Sequence, residues 1–282
     1  MLFFSALIAG SFSLGGLIAN EISPGVLNAV RFFIAVLVMG GLVLATGGFT
    51  RAAFVAPWRY FVLGGLFATY FVLMFEGLKT AEPVSTSAVF TLTPAMAALF
   101  GWILMRQVTT AWIALALTIG GVGALWVIFR ADLAAFLAFQ VGRGEMIFFV
   151  GCIFHAAFTP ALRFFNRGER SLVYTFGFML AGLLMLTAYS FDDLLAVDWG
   201  GLRPLVWITI GYLAIFASAC SFFCLQYGAR VLPASKVMAY SYLTPTWVIC
   251  WEVALGHGAP PALILVGVGV TVVALLMLLR EA

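Results

Sequence analysis

The sequence predicts an all-α integral membrane protein of about ten transmembrane helices, arranged as two inverted five-helix repeats. Three observations carry that expectation. The 282 residues are 64% hydrophobic and only 9% charged, whereas a soluble domain carries roughly 25% charged residues to cover its surface. Residues 1–20, 32–50, 83–105, 107–129, 171–191 and 204–229 contain no Asp, Glu, Lys or Arg. Each such run is near or above the roughly 20 residues with which a helix crosses a 30 Å hydrocarbon layer. The third observation is a motif in the first half that returns in the second, described below. A β-barrel would need strands of about ten residues alternating apolar and polar, and these runs are apolar throughout.

Taken in order, the predicted segments are 1 (2–19), 2 (25–46), 3 (58–78), 4 (83–105), 5 (109–129), 6 (145–165), 7 (171–190), 8 (204–229), 9 (233–254) and 10 (260–280). Segment 1 lacks a basic start and a small-residue cleavage site, so it reads as a helix rather than a signal peptide. Ser23-Pro24, Glu82-Pro83, Leu232-Pro233 and Pro260-Pro261 put a proline at or before a helix start, where its missing N–H costs nothing. Between Phe129 and Gly144 lies a polar break with Arg130, Asp132 and Arg143, followed by Glu145. It divides the chain into residues 1–130 and 144–282, five segments each.

Loop charges set the orientation. One side holds Arg51, Arg59, Arg106, Arg163, Arg167, Arg170, Arg230, Lys236 and Arg280; the other holds only Lys79, Arg130, Arg143 and Arg203 among basic residues. Both termini are therefore expected in the cytoplasm. The net charge of +3 is too small and dispersed for a nucleic-acid surface. Cys152, Cys220, Cys224 and Cys250 lie in apolar runs without zinc-site spacing, so they read as free buried thiols, with no metal and no other cofactor implied.

Residues 75–95 read FEGLKTAEPVSTSAVFTLTPA and residues 226–246 read QYGARVLPASKVMAYSYLTPT. At a constant offset of 151 residues, Gly77 matches Gly228, Lys79 matches Arg230, Ala88 matches Ala239, and Leu92-Thr93-Pro94 matches Leu243-Thr244-Pro245. With an odd number of segments per half, the halves must lie upside down relative to each other. That construction recurs in secondary transporters, with the substrate near the midplane between the repeats.

These residues carry a resemblance. The pattern from Glu76 to Pro94, its copy from Tyr227 to Pro245, and Ala29-Val30-Arg31-Phe32 resemble the drug/metabolite transporter superfamily in its EamA branch, across essentially the whole chain. The phenylalanine- and tyrosine-rich composition is similar to that of the bacterial aromatic amino acid exporters of that branch. The resemblance implies export across a bacterial inner membrane. One departure stands out: Arg106 and His257 occupy the positions, near the ends of segments 4 and 9, where the family often carries a glutamate.

Pro94 and Pro245 fall near the middle of segments 4 and 9, where a proline removes a helical hydrogen bond and opens the helix. Ser87, Phe90, Thr91 and Pro94 share one helical stripe, and Met238, Ser241, Tyr242 and Pro245 share its counterpart. Each stripe mixes aromatic, hydroxyl and soft apolar groups, suited to an apolar body with a polar end; static packing is the plainer reading. Segment 6 adds His155 and Thr159 one turn apart, segments 3 and 8 add Tyr70 and Ser221 at matched positions, and segment 1 adds Ser11 and Ser13. Arg31, Glu76 and Glu252 are charges inside or near the membrane, expected to act in gating, with Glu76 or Glu252 coupling transport to protons or holding a substrate ammonium, or as a structural ion pair of Arg31 with one of the glutamates at the outer rim.

The expected function is export of amino acids, aromatic and other apolar ones favoured, by alternating access, with the lipid bilayer and a small-molecule substrate as partners, no nucleic acid, and a monomer as the expected state. Exchange of sugar-phosphates or nucleotide-sugars is the rival within the superfamily, and it calls for several mid-membrane cations where only Arg31 is present. An intramembrane enzyme is the rival of another class; the sequence offers no G-x-S-x-G, no H-E-x-x-H and no base paired with a nucleophile.

Overall fold

Prolines set the starts of several helices. In the computed structural model, which describes residues 1–49, 51–138, 140–232 and 234–280, Pro24, Pro83 and Pro204 sit in the first turn of a helix, as expected of a residue without an N–H. Pro233 lies outside the described residues. The α-helices in chain order are α1 (Leu2–Ile18), α2 (Pro24–Ala45), α3 (Trp58–Gly77), α4 (Pro83–Phe90), α5 (Thr93–Met105), α6 (Ala111–Ile128), α7 (Leu133–Leu137), α8 (Arg143–Phe165), α9 (Ser171–Tyr189), α10 (Phe191–Ala196), α11 (Pro204–Ala214), α12 (Ser221–Val231), α13 (Ala234–Ala239), α14 (Thr244–Ala254) and α15 (Ala262–Arg280). No strand occurs among the described residues.

Counting a broken helix as one rod, eight helices among the described residues are long and apolar enough to cross a membrane, and the 17-residue α1 is a shorter apolar helix. The outside of the bundle is apolar: Leu37, Leu99, Leu184 and Val266 are all exposed. Serines and threonines are buried instead, among them Ser11, Ser87, Thr91, Thr159, Ser221 and Ser241. That distribution reverses the pattern of a water-soluble protein and suits lipid as the surrounding solvent.

Three expected segments are not uniform helices. Segment 4 is broken into α4 and α5, because the amides of Thr91 and Leu92 turn back to the carbonyls of Ala88 (3.0 Å) and Val89 (3.1 Å). Pro94 is therefore in the first turn of a new helix rather than at a mid-helix kink. The carbonyl of Phe90, four residues before Pro94, accepts the Thr93 hydroxyl at 2.6 Å in place of the missing amide. Segment 9 breaks at the related place through a 3₁₀ turn, Tyr240–Leu243, and Pro245 opens α14. Segment 8 contains a π-helical stretch, Ile215–Cys220, between α11 and α12. The short elements α7, α10 and the 3₁₀ turn Arg51–Phe54 lie between the expected segments, each too short to register as a hydropathy run.

Helix α3 packs on α8 and α9, α2 on α9, α6 on α15, α5 on α8 and α1 on α14, while α11 lies against α2. Without apolar driving force between helices in lipid, such contacts depend on close approach. A Cβ on Gly64 of α3 would lie 2.5 Å from the Gly182 amide nitrogen of α9, and one on Gly123 of α6 would lie 2.8 Å from the Gly267 carbonyl of α15. Backbone meets backbone at both places, and only glycine leaves room.

Candidate functional site

Where α1, α3, α4, α8 and the π-helical stretch converge, aromatic rings surround His155. Its ring centroid lies 4.4 Å from that of Tyr70, 5.1 Å from Phe90 and 5.4 Å from Phe67. Phe67 in turn stacks on Phe158 at 4.2 Å and meets Phe222 edge-on at 4.3 Å. At their centre is a cavity of about 10 Å³ whose walls include Ser11, Tyr70, Phe90, His155 and Ser221, all five expected from the sequence. It is barely the size that one water needs. His155 is buried, and its Nδ1 has no hydrogen-bond partner among the described residues.

The remaining expected residues are distributed around this cage. Thr159 and Met238 meet, the hydroxyl lying 3.1 Å from the sulfur. Ser241 approaches Thr93 at 3.4 Å across the two helix breaks. The Ser87 hydroxyl is taken by the Val84 carbonyl (2.7 Å) and that of Thr91 by Ala88 (2.6 Å), so both bond their own helix and neither is among the cavity walls. Tyr242 also departs from the expected stripe: it is buried in a separate cluster with Ile113 and Leu275, its carbonyl accepting Thr271 Oγ1 at 3.1 Å. The break at residues 240–243 turns it away from the face it would share in a continuous helix. Pro94 and Pro245 are buried at their helix starts. Ser13 is buried with no partner for its hydroxyl among the described residues. Phe4, Phe12, Phe67, Phe71 and Phe222 add further aromatic walls, with Ile8, Met74 and Ala217 beside them; periodicity marks such phenylalanines as buried but not as neighbours of one another.

The expected ion pair of Arg31 with Glu76 or Glu252 does not form. Glu76 pairs with Lys79 at 2.6 Å, one turn away and half-exposed, and Glu252 pairs with His257 at 2.7 Å. Arg31 is fully buried against α11–α12: Nε donates to Ser218 Oγ at 2.5 Å and Nη2 to the Ala217 carbonyl at 2.9 Å, while the guanidinium carbon lies 3.7 Å from the Phe71 ring centroid. A hydroxyl, a carbonyl and a ring hold Arg31 where charge pairing would place a carboxylate, so its burial is left without a counter-charge among the described residues.

Ion pairs mark the two ends of the bundle. At one end Glu21 pairs with Arg203, Ser23 donates to Asp193 at 2.8 Å, and Arg130 pairs with Glu82 at 3.4 Å. Glu82, Ser85, Arg130, Glu252 and His257 there line a cleft of about 340 Å³, and the buried Glu252 Oε1 has no partner among the described residues. Glu21 is held below the usual carboxylate range by the hydrogen bond from Arg203. At the other end Arg59 Nη2 donates to Glu169 Oε1 at 2.7 Å, with both side chains buried. Arg59 also donates to the carbonyls of Val55, Ala56 and Phe165, Arg230 to the Glu169 carbonyl, and Arg170 to that of Thr46. Burial pushes the Glu169 carboxyl up, but the Arg59 guanidinium and the amides of Arg167 and of Glu169 itself outweigh it, leaving the group below its ordinary range.

A multi-helix bundle with an apolar exterior and a closed polar-aromatic centre belongs to the class of multi-pass membrane proteins, and comparison with known proteins narrows the class. The EamA-like transporter family matches residues 1–129 and again residues 142–280, and the chain belongs to that family, within the drug/metabolite transporter superfamily. An uncharacterized transporter of Bacillus subtilis (strain 168), YyaM, is 26% identical over 259 residues, covering 91% of this chain and 85% of that protein. A solved structure described only as "Crystal structure of protein" superimposes with a TM-score of 0.75 at 20% identity, covering 100% of this chain and 96% of the other. That likeness speaks for the fold.

Proposed function

We propose that the chain is a secondary transporter that exports amino acids, aromatic and other apolar ones favoured, from the cytoplasm across a bacterial inner membrane. The observation that carries the substrate class is the cage around His155: seven aromatic walls for an apolar body, with the Ser11 and Ser221 hydroxyls and an imidazole nitrogen unpartnered among the described residues for a polar end. Such a mixture binds a small amphipathic molecule. At about 10 Å³ the cavity holds no substrate as it stands, so binding requires the surrounding helices to part.

Two five-helix halves, residues 1–130 and 144–282, related by inversion, are the machinery we infer. The packing favours it, because partners exchange between halves: α5 lies on α8 as α14 lies on α1, and α3 lies on α9 as α11 lies on α2. The excess of basic residues at the Arg59 end supports assigning that end and both termini to the cytoplasm by the positive-inside rule. On this reading the Arg59–Glu169 clasp closes the cytoplasmic side while the cleft at Glu82 opens outward, one of the two states that alternating access requires.

The test is counterflow of a panel of radiolabelled amino acids into proteoliposomes. Phenylalanine, tyrosine, tryptophan and leucine are expected to accumulate, and His155→Ala and Tyr70→Ala are each expected to reduce that flux by about tenfold or more. Full flux in both variants would remove the cage from the transport path, and the absence of amino acid counterflow in the wild type would remove the substrate class.

A further inference from the structure

Arg31 lies seven residues into α2, about 10 Å along the helix axis at 1.5 Å per residue, and its side chain is fully buried. Among the described residues the groups that contact it are neutral: Ser218 Oγ, the Ala217 carbonyl, Asn28 Oδ1 at 3.5 Å and the face of Phe71. A guanidinium presents five N–H donors in a planar fork, and the contact to Asn28 lies at the limit of hydrogen-bond distance. The buried carboxylates are engaged elsewhere, Glu145 with Ser85, Glu169 with Arg59 and Glu252 with His257. A buried cation without a counter-charge is costly to keep, and inside a membrane it marks a functional group by default.

Two of the groups that hold Arg31 are also walls of the central cavity, Phe71 and Ala217. The guanidinium therefore sits directly behind the cage, on the side formed by the π-helical stretch. The geometry points to Arg31 as the binding group for a substrate carboxylate: when the helices part, its fork leaves Ser218 and Ala217 and takes a carboxylate whose apolar body rests among the phenylalanines. The inference deepens the proposed function and rests on the central cage being the substrate site.

The local hydrogen bonds suit that exchange. The Ala217 carbonyl also accepts the Ser221 hydroxyl at 2.7 Å, so the wide turn keeps a donor when Arg31 departs. A planar carboxylate matches the guanidinium with two parallel hydrogen bonds. One cation balances one negative charge, and besides the His155 imidazole the cage is lined by phenylalanine, tyrosine, serine and aliphatic groups that carry no charge.

The test separates the two ends of the substrate. Purified protein is titrated with phenylalanine, with 3-phenylpropanoate, which lacks the ammonium, and with 2-phenylethylamine, which lacks the carboxylate; binding is read by calorimetry, and counterflow of labelled phenylalanine is measured in parallel. In the wild type 3-phenylpropanoate should bind and 2-phenylethylamine should bind about tenfold or more weakly than phenylalanine. Arg31→Lys, which keeps the buried charge but loses the fork, and Arg31→Gln should each weaken both carboxylates by about tenfold and leave 2-phenylethylamine unchanged. Equal binding of amine and amino acid in the wild type, or undiminished carboxylate binding in a folded Arg31→Lys protein, overturns the inference; so does failure of both carboxylates to bind. Arg31-dependent binding of 3-phenylpropanoate without counterflow of any amino acid would support it while refuting the amino acid reading.

Discussion

At the Arg59 end a guanidinium and a carboxylate, 1% and 0% exposed, meet at 2.7 Å inside a ring of backbone carbonyls. At the opposite end Arg130 and Glu82, 63% and 70% exposed, meet at 3.4 Å on the rim of an open cleft. The same charge types thus serve two different purposes. A buried pair with its remaining donors occupied fixes the helices that supply it, here the start of α3, the α8–α9 loop and, through Arg230, the end of α12. An exposed pair costs little to break and little to remake. The contrast separates a fastened end from a loosely paired one.

The sharpest way to break the comparison is to remove one partner of the buried pair. Glu169→Ala strands the Arg59 guanidinium, and thermal unfolding in detergent should register a loss of about 3 kcal/mol; a loss indistinguishable from zero would mean that the carbonyls alone hold Arg59. Titration gives an intermediate effect. Because the folded Glu169 carboxyl lies below its ordinary value of 4.5, the folded state resists protonation. Its contribution is present in full above about pH 4.5 and is lost as the pH falls through the lowered folded value. Stability measured downward from pH 5 should therefore fall more steeply in the wild type than in Glu169→Gln, and parallel curves would assign the acid loss to other groups. The smallest effect belongs to the exposed pair: Glu82→Gln should change stability by about 0.5 kcal/mol or less, and a loss comparable to that of Glu169→Ala would erase the distinction between the ends.

Helix positions were legible because membrane burial writes itself into composition. The charge-free runs and the prolines at residues 24, 83 and 204 locate α2, α4 and α11 to within a residue or two. Five cavity walls, Ser11, Tyr70, Phe90, His155 and Ser221, followed from polar or aromatic residues standing in apolar helices. What remained hidden depends on how helices face one another. Tyr242 was assigned with Pro245 by helical spacing, which fails once the chain makes a 3₁₀ turn between them. Nothing in Ile215–Cys220 breaks a helix by propensity, so the π-helical stretch has no local signature. Glu169 did have one: it is the only acid between residues 146 and 191, set among arginines on the more basic side, and a solitary acid there invites an internal partner.

Arg31 and the wide turn at Ile215–Cys220 are separated by 187 residues between Arg31 and Ser218, yet each depends on the other. An unbroken α-helix engages every interior carbonyl with an amide four residues on and would have less to offer a buried arginine. Conversely, a shorter side chain at residue 31 would leave the Ala217 carbonyl with one donor fewer. The two features are therefore expected to be inherited together. In a family drifting through substitutions, losing the arginine should accompany regularisation of the helix, so that a charge in one half of the chain acts as ancestry's marker for an irregular backbone in the other.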